Sequence, residues 1–336
     1  MALYIGKRMA FLVVMLFGLL IVTFLISHVA PGDPASLAAG PDAPPEMVER
    51  IRHEYGLDRP LPVQLGIYVA GILHGDLGQS VRTGHSVLQD LSEFFPATFE
   101  LVTVSMLIAI ILGIPLGMLS AVKQNSWFDH AARIVSVSGV AVPMFWLGLM
   151  LQLAFALDLG WLPLGGRLGI MSTPPDPVTH LYLIDSLLAG QWDVFGDALS
   201  HLILPAVALC FPALASIIRV NRAEMIEALG QDYITNARAQ GISSFRTVAI
   251  YALKNAFLPT LAMIGLRYGW MLGGTILVES VFDWPGIGLY ATQSAIAQDF
   301  QPIMGVTLLI GANFMIANLL VDLAYIWLDP RTREAA

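Results

Sequence analysis

Charged side chains are scarce in this sequence, and the scarcity excludes an ordinary soluble domain. Asp, Glu, Lys and Arg make up 12% of the 336 residues, against about 25% in a typical soluble globular protein. Hydrophobic residues make up 56%, and the mean hydropathy is +0.71. Because the deficit extends over the whole chain, it favours a protein that crosses a membrane several times over a soluble domain with one anchor.

Cysteine and several catalytic motifs are also lacking, and each absence excludes a class of function. Cys210 is the one cysteine and lies in an apolar run, so neither a disulfide framework nor a cysteine-based metal site is available. There is no GxxxxGK[ST] phosphate loop, because Arg follows the only Gly-Lys pair, Gly6-Lys7. The GxSxG, HExxH and GxGD patterns are lacking too, which argues against an intramembrane enzyme. We therefore expect no metal, cofactor or nucleic acid to bind this chain.

What the sequence does contain is six apolar runs, each long enough to cross a membrane as a helix. About 20 mostly apolar residues span roughly 30 Å of hydrocarbon. The first run follows Lys7-Arg8, but it is longer than the apolar part of a signal peptide and no small-x-small cleavage site follows it. The predicted fold class is an all-α polytopic membrane protein with six transmembrane helices. The predicted spans are Met9–Val29, Thr98–Val122, Ala131–Leu157, Leu199–Ile218, Phe257–Val281 and Ile303–Leu328.

The distribution of Lys and Arg predicts the orientation of these spans. Placing both termini in the cytoplasm puts eleven of the 17 Lys and Arg residues inside and five outside, as the positive-inside rule requires. Most Asp and Glu residues then lie outside. We therefore predict a multi-pass protein with both termini in the cytoplasm.

Two connections are predicted to lie outside the membrane. The longer one, 31–96, contains an amphipathic stretch, PPEMVERIRHEYGL, that is typical of a short helix, and an apolar stretch, VQLGIYVAGILHGDLGQSV, that favours a helix on the outer mouth. The second, 158–198, is rich in Pro and Gly. Packing on the membrane surface and docking of an external partner both explain these segments.

The polar segment between the fourth and fifth spans, 221–255, is predicted to lie inside. Leu229, Tyr233 and Ala237 recur at helical spacing, and Gly241 stands where a helix can end in a left-handed turn. In the following ISSFRTVAIYALKN, a Ser after the first residue is a candidate N-cap for a second helix. The pattern predicts a helix, a glycine turn and a second helix on the inner membrane face. The alternative is an interfacial amphipathic helix without a partner.

Motifs spread over most of the chain resemble one family. The inner segment carries a DYI-x-x-ARA-x-G pattern. Other motifs are PGDP (31–34), HGDLGQS (74–80), FDH (128–130), ILPA (203–206), FDWPGIG (282–288) and NLLVDLAY…LDPR (318–331). Together they resemble the permease subunits of bacterial ABC importers of the dipeptide/oligopeptide/nickel family, most of all the B-type subunits of its dipeptide branch. The DYI-x-x-ARA-x-G residues are Asp232, Tyr233, Ile234, Ala237, Arg238, Ala239 and Gly241.

The inner segment also departs from the general motif of ABC permeases. The Glu-Ala-Ala positions hold Thr235, Asn236 and Ala237, and the usual proline position holds Lys254, with a proline following at Pro259. The peptide branch commonly shows both changes, so they narrow the resemblance to that branch.

The resemblance implies a fold, a partner set and a location. The fold is that of a type I ABC importer permease in the bacterial inner membrane. The partners are a second homologous permease, two cytoplasmic ATPase subunits that carry the ATP and Mg, a periplasmic substrate-binding protein and membrane lipid. The inner segment is then the coupling helix that seats in a groove of the ATPase. The residues assigned to coupling are Asp232, Tyr233, Ala237, Arg238, Ala239 and Gly241, with the small Ala237 and Ala239 expected to enter the groove and Arg238 to pair with acidic groups.

The resemblance also divides the chain into three parts. Residues 1–96 form the first span and the periplasmic segment, and residues 97–328 form the permease core with its coupling loop at about 221–255. Residues 329–336 form a cytoplasmic tail.

Charged residues within or beside the spans are candidates for the translocation pathway, because they are costly in a membrane. Arg267 lies near the centre of span five and Asp322 lies in span six. They are expected either to pair with one another or, in the case of Arg267, to contact a peptide carboxylate. Glu279 and Asp283 are expected to form an acidic outer mouth that meets the binding protein, a cationic end of the substrate or only solvent.

Small residues predict close helix packing. Gly265, Gly269 and Gly273 form a GxxxGxxxG series in span five, and Gly113 and Gly117 form a shorter one in span two. Flexibility for gating is the alternative role for span five.

The sequence leaves the substrate and one rival class open. Dipeptides or short oligopeptides are the favoured substrates, with nickel chelates, glutathione or opines as alternatives. A secondary transporter is the rival, but such proteins usually show internal repeats with broken helices, and no such repeat is evident between the halves of this chain.

Overall fold

The computed structural model of the protein describes residues 2–29, 35–36, 43–54, 56 and 58–328. Within these ranges the regular structure is helical, apart from one bridge between Gln79 and Ser86. PGDP, the last three residues of the LDPR motif (329–331) and the predicted tail lie outside the described residues. The helices are α1 (Ala2–Val29), α2 (Pro45–Glu54), α3 (Leu61–Leu73), α4 (Val87–Val122), α5 (Trp127–Ala141), α6 (Met144–Leu151), α7 (Tyr182–Leu188), α8 (Trp192–Leu229), α9 (Asp232–Ala239), α10 (Ser244–Arg246), α11 (Leu253–Phe282), α12 (Ile287–Ile296) and α13 (Phe300–Leu328).

The apolar spans agree in number and order with the prediction. Five helical stretches are long and apolar enough to cross a membrane, and α5 with the helical stretch Met144–Asp158 makes a sixth when this bent pair is counted as one span. These two helices meet at an angle of 107°. The break lies at Val142 and Pro143, where Val142 is extended, because a residue before proline avoids the helical conformation. The third span is therefore broken, a feature that the apolar run Ala131–Leu157 did not reveal.

Most spans extend beyond their predicted apolar runs. α4 begins at Val87, eleven residues before the predicted start, and α8 continues to Leu229. Turns of π-helix follow α6 at Gln152–Asp158 and join α10 to α11 at Thr247–Ala252. The predicted short helices of the outer segment are present as α2 and α3.

The chain forms two compact units, and the first contains residues 99–284 and 314–328 of the described chain. α8 is central to this unit and packs against α5, α6, α7 and α11. Glycines allow the closest approaches, because a side chain at Gly113 or Gly117 of α4 would collide with Ile217 or Asn221 of α8. These contacts bury α8 along most of its length.

α11 uses its glycine series in two different ways. A side chain at Gly265 would collide with Val321 of α13, and one at Gly269 would collide with Phe314. Gly273 has no atom within 4 Å of the position that a Cβ would occupy. Two of the three glycines are therefore packing positions, whereas the third faces open space.

The connection between α6 and α8 is held by a buried ion pair within the same unit. Arg167 donates to the Glu100 carboxylate at 2.6 and 3.2 Å, and its guanidinium lies 3.6 Å from the centre of the Tyr182 ring. Glu100 also accepts a hydrogen bond from the backbone N–H of Leu183 at 2.8 Å. Arg167 belongs to the connection 158–198, which was predicted only to lie outside, and these contacts show that it organises that connection.

A second carboxylate organises the start of α7. Burial alone would raise the pKa of Asp185, but hydrogen bonds from the Thr179 hydroxyl and from the backbone N–H groups of Thr179 and Val178 hold that pKa below its ordinary value. The connection is therefore an ordered structure and not an open loop.

The second unit contains residues 2–98 and 285–313 of the described chain. Its apolar core includes Val87, Leu91, Ile287, Tyr290 and Val306. Beside this core the buried Asp90 accepts hydrogen bonds from the Thr83 and Tyr290 hydroxyls at 2.6 and 2.7 Å. Burial and the hydrogen bond to Asp90 raise the pKa of Tyr290 well above its ordinary value.

Candidate functional site

The short helix α9 and the turn that follows it form the centre of the candidate site. Gln231 is extended at the N-cap position, and Asp232 and Arg238 occupy the first and last turns, where their charges favour the helix dipole. Gly241 has a positive φ of 75°. Its N–H donates to the backbone carbonyl of Arg238 at 3.0 Å, and the N–H of Ile242 donates to the backbone carbonyl of Ala237 at 3.1 Å. This is a Schellman ending, so the predicted left-handed turn at Gly241 is confirmed.

One face of α9 is buried against the rest of its own unit. Ile234 is 0% exposed and Ala237 is 4% exposed, three residues apart and therefore on one face of the helix. Burying a side chain such as that of Ile234 stabilises a fold by about 1.5–3 kcal/mol. Ile234 belongs to a buried apolar cluster, and the other buried members of that cluster are Ala121, Met225, Ala228, Ala252 and Ala256.

The burial of Ala237 corrects one expectation. Sequence analysis expected both Ala237 and Ala239 to enter a groove of a partner, but Ala237 packs inward and only Ala239 is exposed. Ile234 was quoted as part of the motif and given no role of its own, although it is the main apolar anchor of α9. The feature of the sequence that could have identified this anchor is a single large aliphatic residue in an otherwise polar helix.

The opposite face of α9 is solvent-exposed and polar. Asp232, Tyr233, Arg238 and Ala239 all lie on the surface. Arg238 makes no ion pair within 4.0 Å with any residue in the described part of the chain. An unpaired cation on a seated helix can bind an acidic surface of another protein.

Beyond the turn, an exposed aromatic residue extends this surface. Ser243 takes the predicted N-cap position of α10, although its side chain makes no capping hydrogen bond. Phe245 follows and is 76% exposed. Sequence analysis gave Phe245 no role, and its place just after a polar turn is the only signal that pointed to it.

A buried ion pair fixes α8 shortly before α9 begins. Asp129 at the start of α5 is 0% exposed and accepts hydrogen bonds from Arg222 of α8 at 2.6 and 2.9 Å. It also accepts from the Ser120 hydroxyl at 2.5 Å and from the backbone N–H of Asn125 at 3.0 Å. Arg133 lies farther away, at 3.8 Å, and its side chain is 46% exposed.

This carboxylate links the end of α4, the start of α5 and the last turns of α8. The FDH motif that contains Asp129 predicted no contact for this carboxylate, because a sequence does not show which cation a carboxylate will meet. We refer to Asp129, Arg222, Ser120 and Asn125 as the Asp129 cluster.

A second polar contact joins α8 to α11, the helix on the other side of α9. The amide of Asn221 donates to the Thr260 hydroxyl at 3.3 Å, and both residues are 0% exposed. α9 is therefore attached at both ends to helices that are tied to one another.

The structure changes the interpretation of two pathway candidates. Glu279 is 0% exposed, so it does not contribute to an open acidic mouth. Asp283 is exposed and takes a left-handed conformation, with φ 47°, at the C-terminus of α11. Of the two predicted mouth residues, only Asp283 presents its carboxylate to solvent.

Arg267 and Asp322 do not form the expected pair. No ion pair within 4.0 Å joins them, and the Nε of Arg267 is buried without a hydrogen-bond partner in the described part of the chain. Asp322 is half-buried in α13. Within the described ranges, no three His, Cys, Asp or Glu side chains come together as a metal site.

Comparison with known protein families gives two matches. Residues 113–334 match the family described as "Binding-protein-dependent transport system inner membrane component". Residues 1–102 match "Binding-prot-dependent transport system membrane comp, N-term".

Individual relatives are similar over nearly the whole chain. A probable D,D-dipeptide transport system permease protein of Escherichia coli (strain K12) is 48% identical over 95% of this chain and 94% of the relative. A dipeptide transport system permease protein of Alkalihalophilus pseudofirmus is 40% identical over 98% and 99%. A glutathione transport system permease protein of Pectobacterium atrosepticum is 36% identical over 98% of each chain.

Proposed function

The chain belongs to the family of binding-protein-dependent transport system inner membrane components, and from that premise we propose that it imports dipeptides or short oligopeptides as one half of an ATP-driven translocation pathway. It is a permease subunit of a transport system and not an enzyme. Two of the relatives described above are named for dipeptide transport, which favours peptides over nickel chelates or opines.

The observation that carries the proposal is the way in which α9 is held. Its inner face is anchored by Ile234 and Ala237, and its outer face presents Asp232, Tyr233 and Arg238 to solvent. A small helix that is fixed on one side and polar on the other is suited to receive a push from a partner. The partner that we propose is a separate ATPase subunit, which binds the ATP and Mg.

We propose that two ATPase subunits dock in the cytoplasm, one on α9 of this chain and one on the equivalent helix of a second, homologous permease. A periplasmic binding protein delivers the substrate on the opposite side. The excess of Lys and Arg in the α4–α5 and α8–α11 connections supports a cytoplasmic position for α9 and for both termini.

The Asp129 cluster then has a mechanical role. When the ATPases close, movement of α9 passes to α8, which continues directly into it. The Arg222–Asp129 pair transfers that movement to α4 and α5, because a buried bidentate pair holds its two partners in one geometry. We propose that Phe245 extends the docking surface, since an exposed aromatic side chain gains free energy when a partner covers it.

Co-purification and reconstituted uptake test this function. We expect the chain to purify with a second permease and two ATPase subunits, and the reconstituted complex to import a dipeptide only when ATP and the loaded binding protein are present. Uptake by the chain alone, without ATP, would show a secondary transporter instead.

One substitution separates coupling from assembly. Gly241→Asp places a side chain at a positive φ, which disfavours the turn. We expect the complex to assemble but to lose stimulation of its ATPase by the binding protein. Wild-type transport with normal stimulation in this variant would contradict the coupling role.

The glutathione relative favours one second candidate substrate, because it is similar to this chain over 98% of its length. Competition between a dipeptide and glutathione for uptake by the reconstituted complex distinguishes the two. The dipeptide is expected to inhibit uptake of glutathione more strongly than the reverse.

A further inference from the structure

Arg267 lies at the edge of an exposed face in the middle of α11. At about 100° per residue, it falls on the same side of the helix as Thr260 and Met271, which are buried. Leu266 and Trp270 lie on the adjacent side of the helix and are 45% and 68% exposed. The α13 contacts of Gly265 and Gly269 lie roughly on the opposite side of the helix. Arg267 therefore lies where the seam between α8 and α11 opens onto the surface of the unit.

The guanidinium at this seam lacks a counter-ion within the described chain. Its Nε is buried without a hydrogen-bond partner, and Arg267 makes no ion pair with a described carboxylate.

Such an arrangement is unfavourable unless an anion completes it. A charged side chain near the centre of a span faces a protein interior or a water-filled path and marks a functional position by default. Buried polar groups without partners are rare and require an explanation. A carboxylate beside Arg267 accepts a hydrogen bond from its unpaired Nε and neutralises its charge.

We propose that Arg267 forms a subsite in the translocation path that binds the free carboxylate of the peptide substrate. This inference rests on the proposed function. A guanidinium binds a carboxylate in a bidentate geometry that an uncharged amide cannot reproduce. The exposed apolar residues beside Arg267, Leu266 and Trp270, provide a surface for the side chains of varied peptides.

The test compares a dipeptide with its C-terminal amide in the complete complex. The complex of both permeases and both ATPases is reconstituted in liposomes, and uptake of Ala-Ala and of Ala-Ala amide is measured at saturating loaded binding protein. The ratio of wild-type to variant rates is taken for each substrate separately, so that any preference of the binding protein cancels. The variants are Arg267→Gln and Arg267→Lys.

We expect Arg267→Gln to reduce uptake of the dipeptide about tenfold, the usual effect of losing a hydrogen-bonded charge partner. Uptake of the amide should change less than about twofold. Arg267→Lys keeps the charge and should retain more of the dipeptide uptake than Arg267→Gln. Arg50→Gln, which removes an exposed arginine of α2 in the outer segment, is the control, and any effect that it has should be equal for the two substrates.

Each other outcome overturns the inference. An equal loss for both substrates in Arg267→Gln, with assembly intact, would show that Arg267 supports the fold or pairs with a carboxylate of the second permease. Unchanged uptake of both substrates would show that the pathway does not use Arg267. If the wild-type complex imports neither substrate with every subunit and ATP present, the proposed import function fails together with the subsite. If wild type imports the dipeptide but Arg267→Gln has no selective effect, only the subsite fails.

Discussion

Arg222 and Arg267 are two arginines on neighbouring helices of one unit, and their surroundings differ sharply. Arg222 meets the buried carboxylate of Asp129 with two hydrogen bonds, and a hydroxyl and a backbone N–H complete the site. Arg267 has a buried Nε without a hydrogen-bond partner in the described chain and forms no ion pair there. Where every buried polar group is satisfied, the protein holds its own helices together. Where a charge is left unsatisfied, the arrangement favours an external ligand.

The largest expected effect comes from breaking the satisfied region. Asp129→Asn removes one partner of a buried pair, which typically costs about 3–5 kcal/mol because the remaining charge stays buried. We expect a matching decrease in the free energy of unfolding of the purified permease in detergent. The matched control is Arg133→Gln, because Arg133 is a half-exposed cation 3.8 Å from the same carboxylate and should contribute less than about 1 kcal/mol. Equal effects of the two changes would show that the Asp129 cluster is not the clamp described above.

The next effect concerns the anchor of α9. Ile234→Ala creates a cavity beneath a short helix and should cost about 2–5 kcal/mol, mostly as local detachment of α9. Hydrogen exchange of the amides in 232–239 should accelerate, and stimulation of the ATPase by the binding protein should fall. Tyr233→Ala, on the exposed face, should leave exchange unchanged and weaken only docking of the ATPase. Unchanged exchange in Ile234→Ala would contradict the anchoring role.

A smaller effect is expected from the glycines of α11, which test close packing in the unit that contains both arginines. Gly269→Ala forces a methyl group into Phe314 of α13, and such overpacking typically costs about 1–3 kcal/mol. Gly273→Ala is the matched control, since nothing lies within 4 Å of the added methyl group. Thermal unfolding of the two variants should differ by several degrees. Equal midpoints would show that α11 and α13 can separate without cost.

The smallest effect is a dependence of stability on pH at Asp185, another satisfied carboxylate. Its pKa is lower in the folded protein than the ordinary 3.8, so its stabilising contribution is complete above that value. The contribution, about 1 kcal/mol, is lost as the pH falls through the folded pKa. Asp185→Asn should therefore flatten the acid limb of the stability profile below pH 4. An acid limb identical to that of wild type would contradict this assignment.

The sequence predicted the spans and the turn at Gly241, because apolar length and a glycine after a helical pattern are local signals. The break at Pro143 was missed, since the apolar run continues without interruption on both sides of it. The partners of Asp129 and Arg167 could not be predicted, because each ion pair joins residues far apart in the chain. Ala237 was assigned to the wrong side of α9, because an alanine fits equally well into its own core or into a groove of a partner.

The two arginines differ for the same reason. Both appear in the sequence as cations near or within apolar runs, and only the packing of α8 against α5 and α11 shows that one has a carboxylate and the other does not. Close approach across helices, which depends on glycines such as Gly117, decides which charges meet.

Photocrosslinking from α9 tests the central claim most directly, because that claim is that the exposed face of α9 contacts an ATPase. A photoreactive amino acid is placed at Arg238, which is exposed on α9, and at Leu188, which is 66% exposed at the end of α7, in otherwise intact complexes. We predict an adduct with the ATPase subunit from position 238, with a yield that changes on addition of ATP, and no such adduct from position 188. A complex that imports a dipeptide with ATP yet gives no ATPase adduct from position 238 would contradict it.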